Sequence, residues 1–141
     1  DVNKAKDTGC TPLYIAAQSG HEAIVRALME LGANVNKATD FGATPLSIAA
    51  HQGHVTVVRA LIQAGANVNQ ARDDGGTPLY IAAEQGHEAV VRALIELGAA
   101  DVNKARYNGW TPLSIAAQEG HTAIVQILRD AVLVQMQHLS S

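Results

Sequence analysis

The tetrad Thr-Pro-Leu followed by Tyr or Ser occurs four times, at Thr11-Pro12-Leu13-Tyr14, Thr44-Pro45-Leu46-Ser47, Thr77-Pro78-Leu79-Tyr80 and Thr111-Pro112-Leu113-Ser114, at spacings of 33, 33 and 34 residues. A period of that length predicts a quasi-one-dimensional stack in which each unit touches only its neighbours. The units divide as residues 1–33, 34–66, 67–100 and 101–133, within a single domain covering residues 1–141.

The residues inside a unit predict a helix pair. Thr11 can cap a helix through its hydroxyl, and Pro12 stands at the first helical position, where its missing N–H removes no bond. The first helix is expected over 12–19, kept slim by Ala16 and Ala17 and ended by Gly20; a second over 22–31 stops at Gly32. Equivalent pairs are expected over 45–52 with 55–64 and over 78–85 with 88–97. In the second helices Ile24, Val25 and Leu28 recur as Val57, Val58 and Leu61, then as Val90, Val91 and Leu94, which is the spacing of one apolar helix face. One pair cannot bury that face alone, so stacking must make the core. Between pairs lie extended stretches such as Val35-Asn36-Lys37-Ala38, followed by Asp40-Phe41-Gly42, a hairpin-like turn that needs glycine's freedom. These protruding loops, or fingers, cover 1–10, 34–43, 67–76 and 101–110; the extra Ala100 is expected to be absorbed in the last one. Val132 replaces the stop glycine in the last unit, so its second helix is expected to run on to about His138, with Ser140-Ser141 frayed. The fold class is an all-α repeat solenoid of stacked helix-turn-helix pairs.

Gly-x-Thr-Pro-Leu-x-x-Ala, then Gly-His, Val-x-x-Leu and Gly-Ala, resembles the ankyrin repeat, and the resemblance extends from Asp1 to about Arg129. It implies a binding scaffold whose partners are proteins met by the fingers and by the inner helices on the concave side. The chain also departs from the family pattern. The histidine usual after Thr-Pro-Leu is Tyr14, Ser47, Tyr80 and Ser114; serine is expected to supply one hydrogen bond in its place and tyrosine to pack between repeats. The Tyr/Ser alternation points to duplication of a repeat pair or to two alternating module types. Lys6, Thr39, Arg72 and Arg106 stand where the family has an aspartate, with Asp7, Asp40, Asp73 and Tyr107 next. Asn3, Asn36, Asn69 and Asn103 hold the position that asparaginyl hydroxylases modify in such proteins, although turn hydrogen bonds explain the same residue. Asp1 opens on a finger, so the chain reads as part of a longer or an engineered array; the alternatives to a binding module are a structural spacer, a self-stacking or designed scaffold whose terminal repeats associate end to end, and a regulatory fragment of a larger protein.

The chemistry of catalysis is missing from the pattern. His21, His54, His87 and His121 follow the interhelical glycine in each unit. As neighbouring repeats are about 10 Å apart and zinc ligands must converge to about 2 Å from one ion, these histidines read as structural. Glu22, Arg26 and Glu30, like Glu88, Arg92 and Glu96, stand at i,i+4 on helix surfaces. Asp73-Asp74 lacks the further oxygen ligands of a calcium loop. No serine lies on a nucleophile elbow, Cys10 has no base at hand, and no glycine run forms a phosphate loop. Neither an enzyme nor a cofactor or metal is expected. A net charge of −3 without a basic run argues against nucleic acid. The lone Cys10 fits an intracellular setting, cytoplasmic or nuclear, and no apolar run approaches the ~18 residues of a membrane span.

Recognition is expected at the positions that vary while the frame repeats. These are Asp7 and Thr8, Phe41, Asp73 and Asp74, and Tyr107, Asn108 and Trp110 on the fingers, with Gln18, His51, Glu84 and Gln118 near the ends of the first helices. Three of the chain's five aromatic residues, Phe41, Tyr107 and Trp110, are on finger positions, and aromatic side chains dominate binding hot spots. Trp110 has a second reading, in which it folds over Gly76, the glycine at its own register in the neighbouring finger. The expected surface has an acidic centre at Asp73, Asp74 and Glu84 between aromatic flanks, suited to a protein partner with basic and apolar elements.

Overall fold

The computed structural model describes residues 1–6 and 8–140, with side chains through Gln137. Among them are eight helices in four pairs: α1 (Pro12–Ser19) with α2 (Glu22–Glu30), α3 (Pro45–Gln52) with α4 (Val55–Gln63), α5 (Pro78–Gln85) with α6 (Glu88–Glu96), and α7 (Pro112–Gln118) with α8 (Thr122–Ser140). The inner helices stack in the order α1, α3, α5, α7 and the outer ones in the order α2, α4, α6, α8, an all-α repeat solenoid.

Each inner helix starts for the same local reason. The hydroxyls of Thr11, Thr44, Thr77 and Thr111 accept the N–H of Tyr14, Ser47, Tyr80 and Ser114 at 3.1–3.2 Å, and proline occupies the first turn. Where the third helical residue is serine the cap becomes reciprocal: Ser47 Oγ accepts the Thr44 N–H and Ser114 Oγ that of Thr111, each at 2.8 Å. Tyr80 instead packs, fully buried, while Tyr14 in the first repeat is half-buried.

The core runs the length of the stack. Leu13, Leu46 and Leu79 of the inner helices meet Val25, Val58, Val91, Leu61 and Leu94 of the outer ones, all out of contact with water. Each such side chain contributes about 1.5–3 kcal/mol. Ala17, Ala50 and Ala83, equally buried, let successive inner helices come close.

The histidines after the interhelical glycines tie one repeat to the one before. Nε2 of His54, His87 and His121 lies 2.9–3.0 Å from the carbonyl oxygen of Gln18, His51 and Glu84, across a full repeat. Their rings cover Gly20, Gly53 and Gly86, where a Cβ would come within 2.6–2.8 Å of the imidazole. The finger asparagines do the same at the other side of the stack: Oδ1 of Asn3, Asn36 and Asn69 accepts the N–H of Asn34, Asn67 and Asp101 at 2.8–2.9 Å. These bonds go to the next repeat, whereas the turns are held by Asp1, Asn34, Asn67 and Asp101, whose Oδ1 atoms accept the N–H two residues on at 2.9–3.1 Å.

The 34-residue spacing is taken up in the loop after α6, which keeps the nine residues of α2 and α4. The extra residue moves the left-handed position from glycine, as at Gly32 and Gly65, onto Ala99 with φ 50°. The Ala100 N–H reaches Leu94, one residue further back than the Ala33–Leu28 and Ala66–Leu61 bonds. α8 continues through Val132 to Ser140, so Ser140 is helical where fraying was expected. Ala131 and Val132 pack on the core, whereas Leu133, Val134 and Met136 remain exposed; the Leu139 side chain lies outside the described residues. Of the four expected i,i+4 ion pairs two form, Glu22–Arg26 at 2.9 Å and Glu88–Arg92 at 3.2 Å. Each arginine takes the glutamate N-terminal to it, the better orientation on a helix, in place of Glu30 or Glu96.

Candidate protein-interaction surface

Each finger is closed by two backbone bonds. Thr39 N–H to Ala43 and Gly42 N–H to Thr39 close the second, and the same pair recurs with Arg72, Gly75 and Gly76 and with Arg106, Gly109 and Trp110. Neighbouring fingers are then laced together, Asp40 N–H to Thr8 O, Asp73 N–H to Phe41 O and Tyr107 N–H to Asp74 O, all at 3.1 Å. Glycine is required at the tips: Gly42 and Gly75 have φ of 82° and 87°, and a Cβ on either would come within 2.6 Å of Asp73 or Tyr107 in the next finger. The fingers therefore form one ladder, fixed by the backbone and free to vary in side chain.

On that ladder Phe41 is 69% exposed, Tyr107 79% and Trp110 36%. Thr8, Asp73 and Asn108 are also exposed, and Asp7 lies outside the described residues. Asn108 is partly committed, its Oδ1 accepting the Trp110 N–H at 3.1 Å, and the Thr8 hydroxyl lies 3.1 Å from Cys10 Sγ. The side chains nearest Gly76 are those of its own finger. A Cβ there would meet Arg72 Nη2 at 3.0 Å and Asp74 Oδ1 at 3.1 Å, so that finger's own arginine and aspartate crowd the glycine.

Asp74 departs from the expected acidic centre. Its carboxylate is held by Arg72 at 3.1 Å and Arg106 at 3.3 Å and accepts the Gly76 N–H at 2.8 Å. Partial burial pushes its pKa up, but the Gly76 N–H and the two guanidinium groups outweigh that and leave it below the ordinary carboxylate value. Arg106 in turn lies over the Tyr80 ring, 5.8 Å from its centroid. Asp74 is thus a clamp between two fingers; Asp73 is the acidic side chain left exposed, while half-buried Glu84 also lies in the field of Arg106. The signal for this clamp was in the sequence: Arg72 and Arg106 hold the register where the family has aspartate. Its geometry was not, because the partner is a side chain one repeat away.

On the inner helices Gln18 and Gln118 are exposed, and His51 and Glu84 are half-buried. His51 lines a notch of about 160 Å³ with Tyr14, Ala43, Ser47, Ile48 and Arg72, opened where serine replaces tyrosine between repeats. Burial raises the pKa of the Tyr14 phenol, Cys10 adding to the shift and Arg72 opposing it. Main-chain oxygens of Gln18, His51 and Glu84 are already engaged by histidines, so only their side chains are available to a ligand. The structure thus brings Phe41, Asp73, Tyr107, Asn108 and Trp110 onto one ladder and sets Gln18, His51, Glu84 and Gln118 along the inner helices beside it. Among the described residues no three His, Cys, Asp or Glu side chains converge for a metal ion, and no helix is long and apolar enough to cross a membrane.

A family model described as ankyrin repeats (3 copies) matches residues 1–72 and 64–135. The chain belongs to the ankyrin-repeat family, whose repeats are generally protein–protein interaction modules and typically non-catalytic. Comparison with curated proteins gives no match.

Proposed function

We propose that the chain is a non-catalytic, intracellular interaction module that binds a protein partner through its fingers and the concave face of its inner helices. The observation that carries this reading is the exposure of Phe41, Tyr107 and Trp110 on fingers already tied to one another by backbone bonds. Large apolar side chains on a rigid frame favour binding, because little ordering entropy remains to be lost when a partner docks. Asp7, Thr8, Gln18, His51, Asp73, Asp74, Glu84, Asn108 and Gln118 complete the proposed contact surface. With Asp74 engaged by Arg72 and Arg106, the partner's basic groups meet Asp73 and Glu84, and its apolar groups meet the aromatic ridge.

The test is affinity capture from a host lysate with the chain and with a Phe41→Ala/Tyr107→Ala/Trp110→Ala variant of unchanged circular dichroism. A protein retained by the first and lost by the second supports a finger site. Equal capture by both, or by neither, removes that support.

A further inference from the structure

One carboxylate, that of Asp74, holds two arginines of the same register, and the two differ in what lies beneath them. Arg106 covers the ring of Tyr80, which is fully buried together with Ile81 beside it. The register of Tyr80 in the repeat before is held by Ser47, and Arg72 covers no ring among the described residues. Arg72 borders instead the notch of about 160 Å³, and Ile48, the counterpart of Ile81, is only partly buried. The notch is internal to the stack. Tyr14 comes to it from the first repeat, Ala43, Ser47, Ile48 and His51 from the second, and Arg72 from the third.

Size and walls together narrow the occupant. An apolar cavity of about 150 Å³ takes a benzene ring, so the notch has room for one aromatic side chain and little more. A carboxylate is the poorer match, because the guanidinium of Arg72 is already paired with Asp74 at 3.1 Å. An arginine engaged in this way still attracts a π system over its face, as Arg106 does with Tyr80 while it holds the same Asp74. A ring arriving from solvent enters with its far end first. His51, one of the walls, has its Nδ1 buried without a hydrogen-bond partner among the described residues, so a hydroxyl at that far end would supply the missing donor. Tyrosine has such a hydroxyl; phenylalanine would leave the nitrogen unpaired.

We propose that the notch at Ser47 seats a tyrosine side chain of the protein partner, its ring beside Arg72 in the place that Tyr80 fills one repeat on, and its hydroxyl donated to His51 Nδ1. This rests on the concave face being the binding face, and it adds what the partner presents there.

The probes are p-cresol, which is the tyrosine side chain alone, and toluene, which lacks the hydroxyl, each titrated into isotope-labelled chain and followed by amide NMR shifts. The expected result is a saturable p-cresol response centred on Ser47, Ile48 and His51, with toluene bound at least about threefold more weakly. Ser47→Tyr should abolish both by filling the seat from within; Tyr14 and Tyr80 show that the register accepts tyrosine with its threonine cap in place. If that variant packs poorly, Arg72→Gln leaves Asp74 to Arg106 and should weaken p-cresol binding at least about threefold. No saturable response at the notch, toluene as tight as p-cresol, or binding unchanged in Arg72→Gln would each overturn the proposal. In the lysate capture Ser47→Tyr should lose the partner as well. A partner that it retains overturns the tyrosine seat and leaves the finger site standing, whereas capture by neither the chain nor the finger variant removes the binding reading beneath it, whatever p-cresol does.

Discussion

α3 and α7 begin with the same six residues, Pro-Leu-Ser-Ile-Ala-Ala, and have the same reciprocal Thr–Ser cap, yet they live in different environments. Ser47 and Ala50 are buried between repeats; Ser114 and Ala117 are exposed at the end of the stack. Local sequence sets the helix, and the neighbouring repeat sets the burial. In a solenoid the environment of a residue therefore depends on whether another repeat is stacked on its own, a consequence of contacts that reach only the adjacent unit.

The sharpest way to break this comparison is to place the same substitution in both settings. Ala50→Leu should overpack the inner stack and lower stability by about 1–3 kcal/mol or more, while Ala117→Leu should stay within about 0.5 kcal/mol. Denaturant unfolding of dilute protein measures both, and equal losses would mean that the last inner helix is as enclosed as the second. The next effect concerns the histidine clasps. His87→Ala removes the bond to the His51 carbonyl and uncovers Gly53, so it should cost about 1–2 kcal/mol. His21→Ala, whose side chain is exposed and makes no such bond among the described residues, should be close to neutral in the same unfolding experiment.

A smaller gain is expected at the insertion. Ala99 holds φ 50° where Gly32 and Gly65 serve in the other repeats, so Ala99→Gly should stabilise by about 0.5–1 kcal/mol, read as a higher unfolding midpoint. The smallest effect is electrostatic. Because the folded state lowers the pKa of Asp74, its stabilising contribution is complete above the unfolded carboxylate value and fades as pH falls through the lower folded value. The difference in unfolding midpoint between the chain and Asp74→Asn should accordingly be constant near neutrality and shrink under acid conditions; a difference that grows with acid would reverse the assigned sign.

Much of the fold was legible because it rests on short-range chemistry. The threonine caps, the prolines of the first turn and the glycine stops act within four residues, and they place the helix ends within a residue or so for the first three pairs. The finger aromatics were legible as candidates for exposure because no helix face claims them. The geometry of the Asp74 clamp, the identity of what lies at Gly76 and the choice of Glu22 over Glu30 were not legible. Each depends on which of several plausible partners a long side chain reaches, and the relevant distances cross a repeat or a helical turn.

By itself, then, the sequence determined the period, the helix pairs, the fingers and the absence of a recognisable catalytic pattern, since these follow from backbone propensity, capping and apolar spacing within one repeat. Only the tertiary structure decided which histidine and asparagine bonds lock successive repeats, that Asp74 is neutralised between two arginines, and that Ala117 and Ser114 are bare. Those outcomes arise when one repeat is set against another, and nothing within a single repeat encodes what lies beyond it.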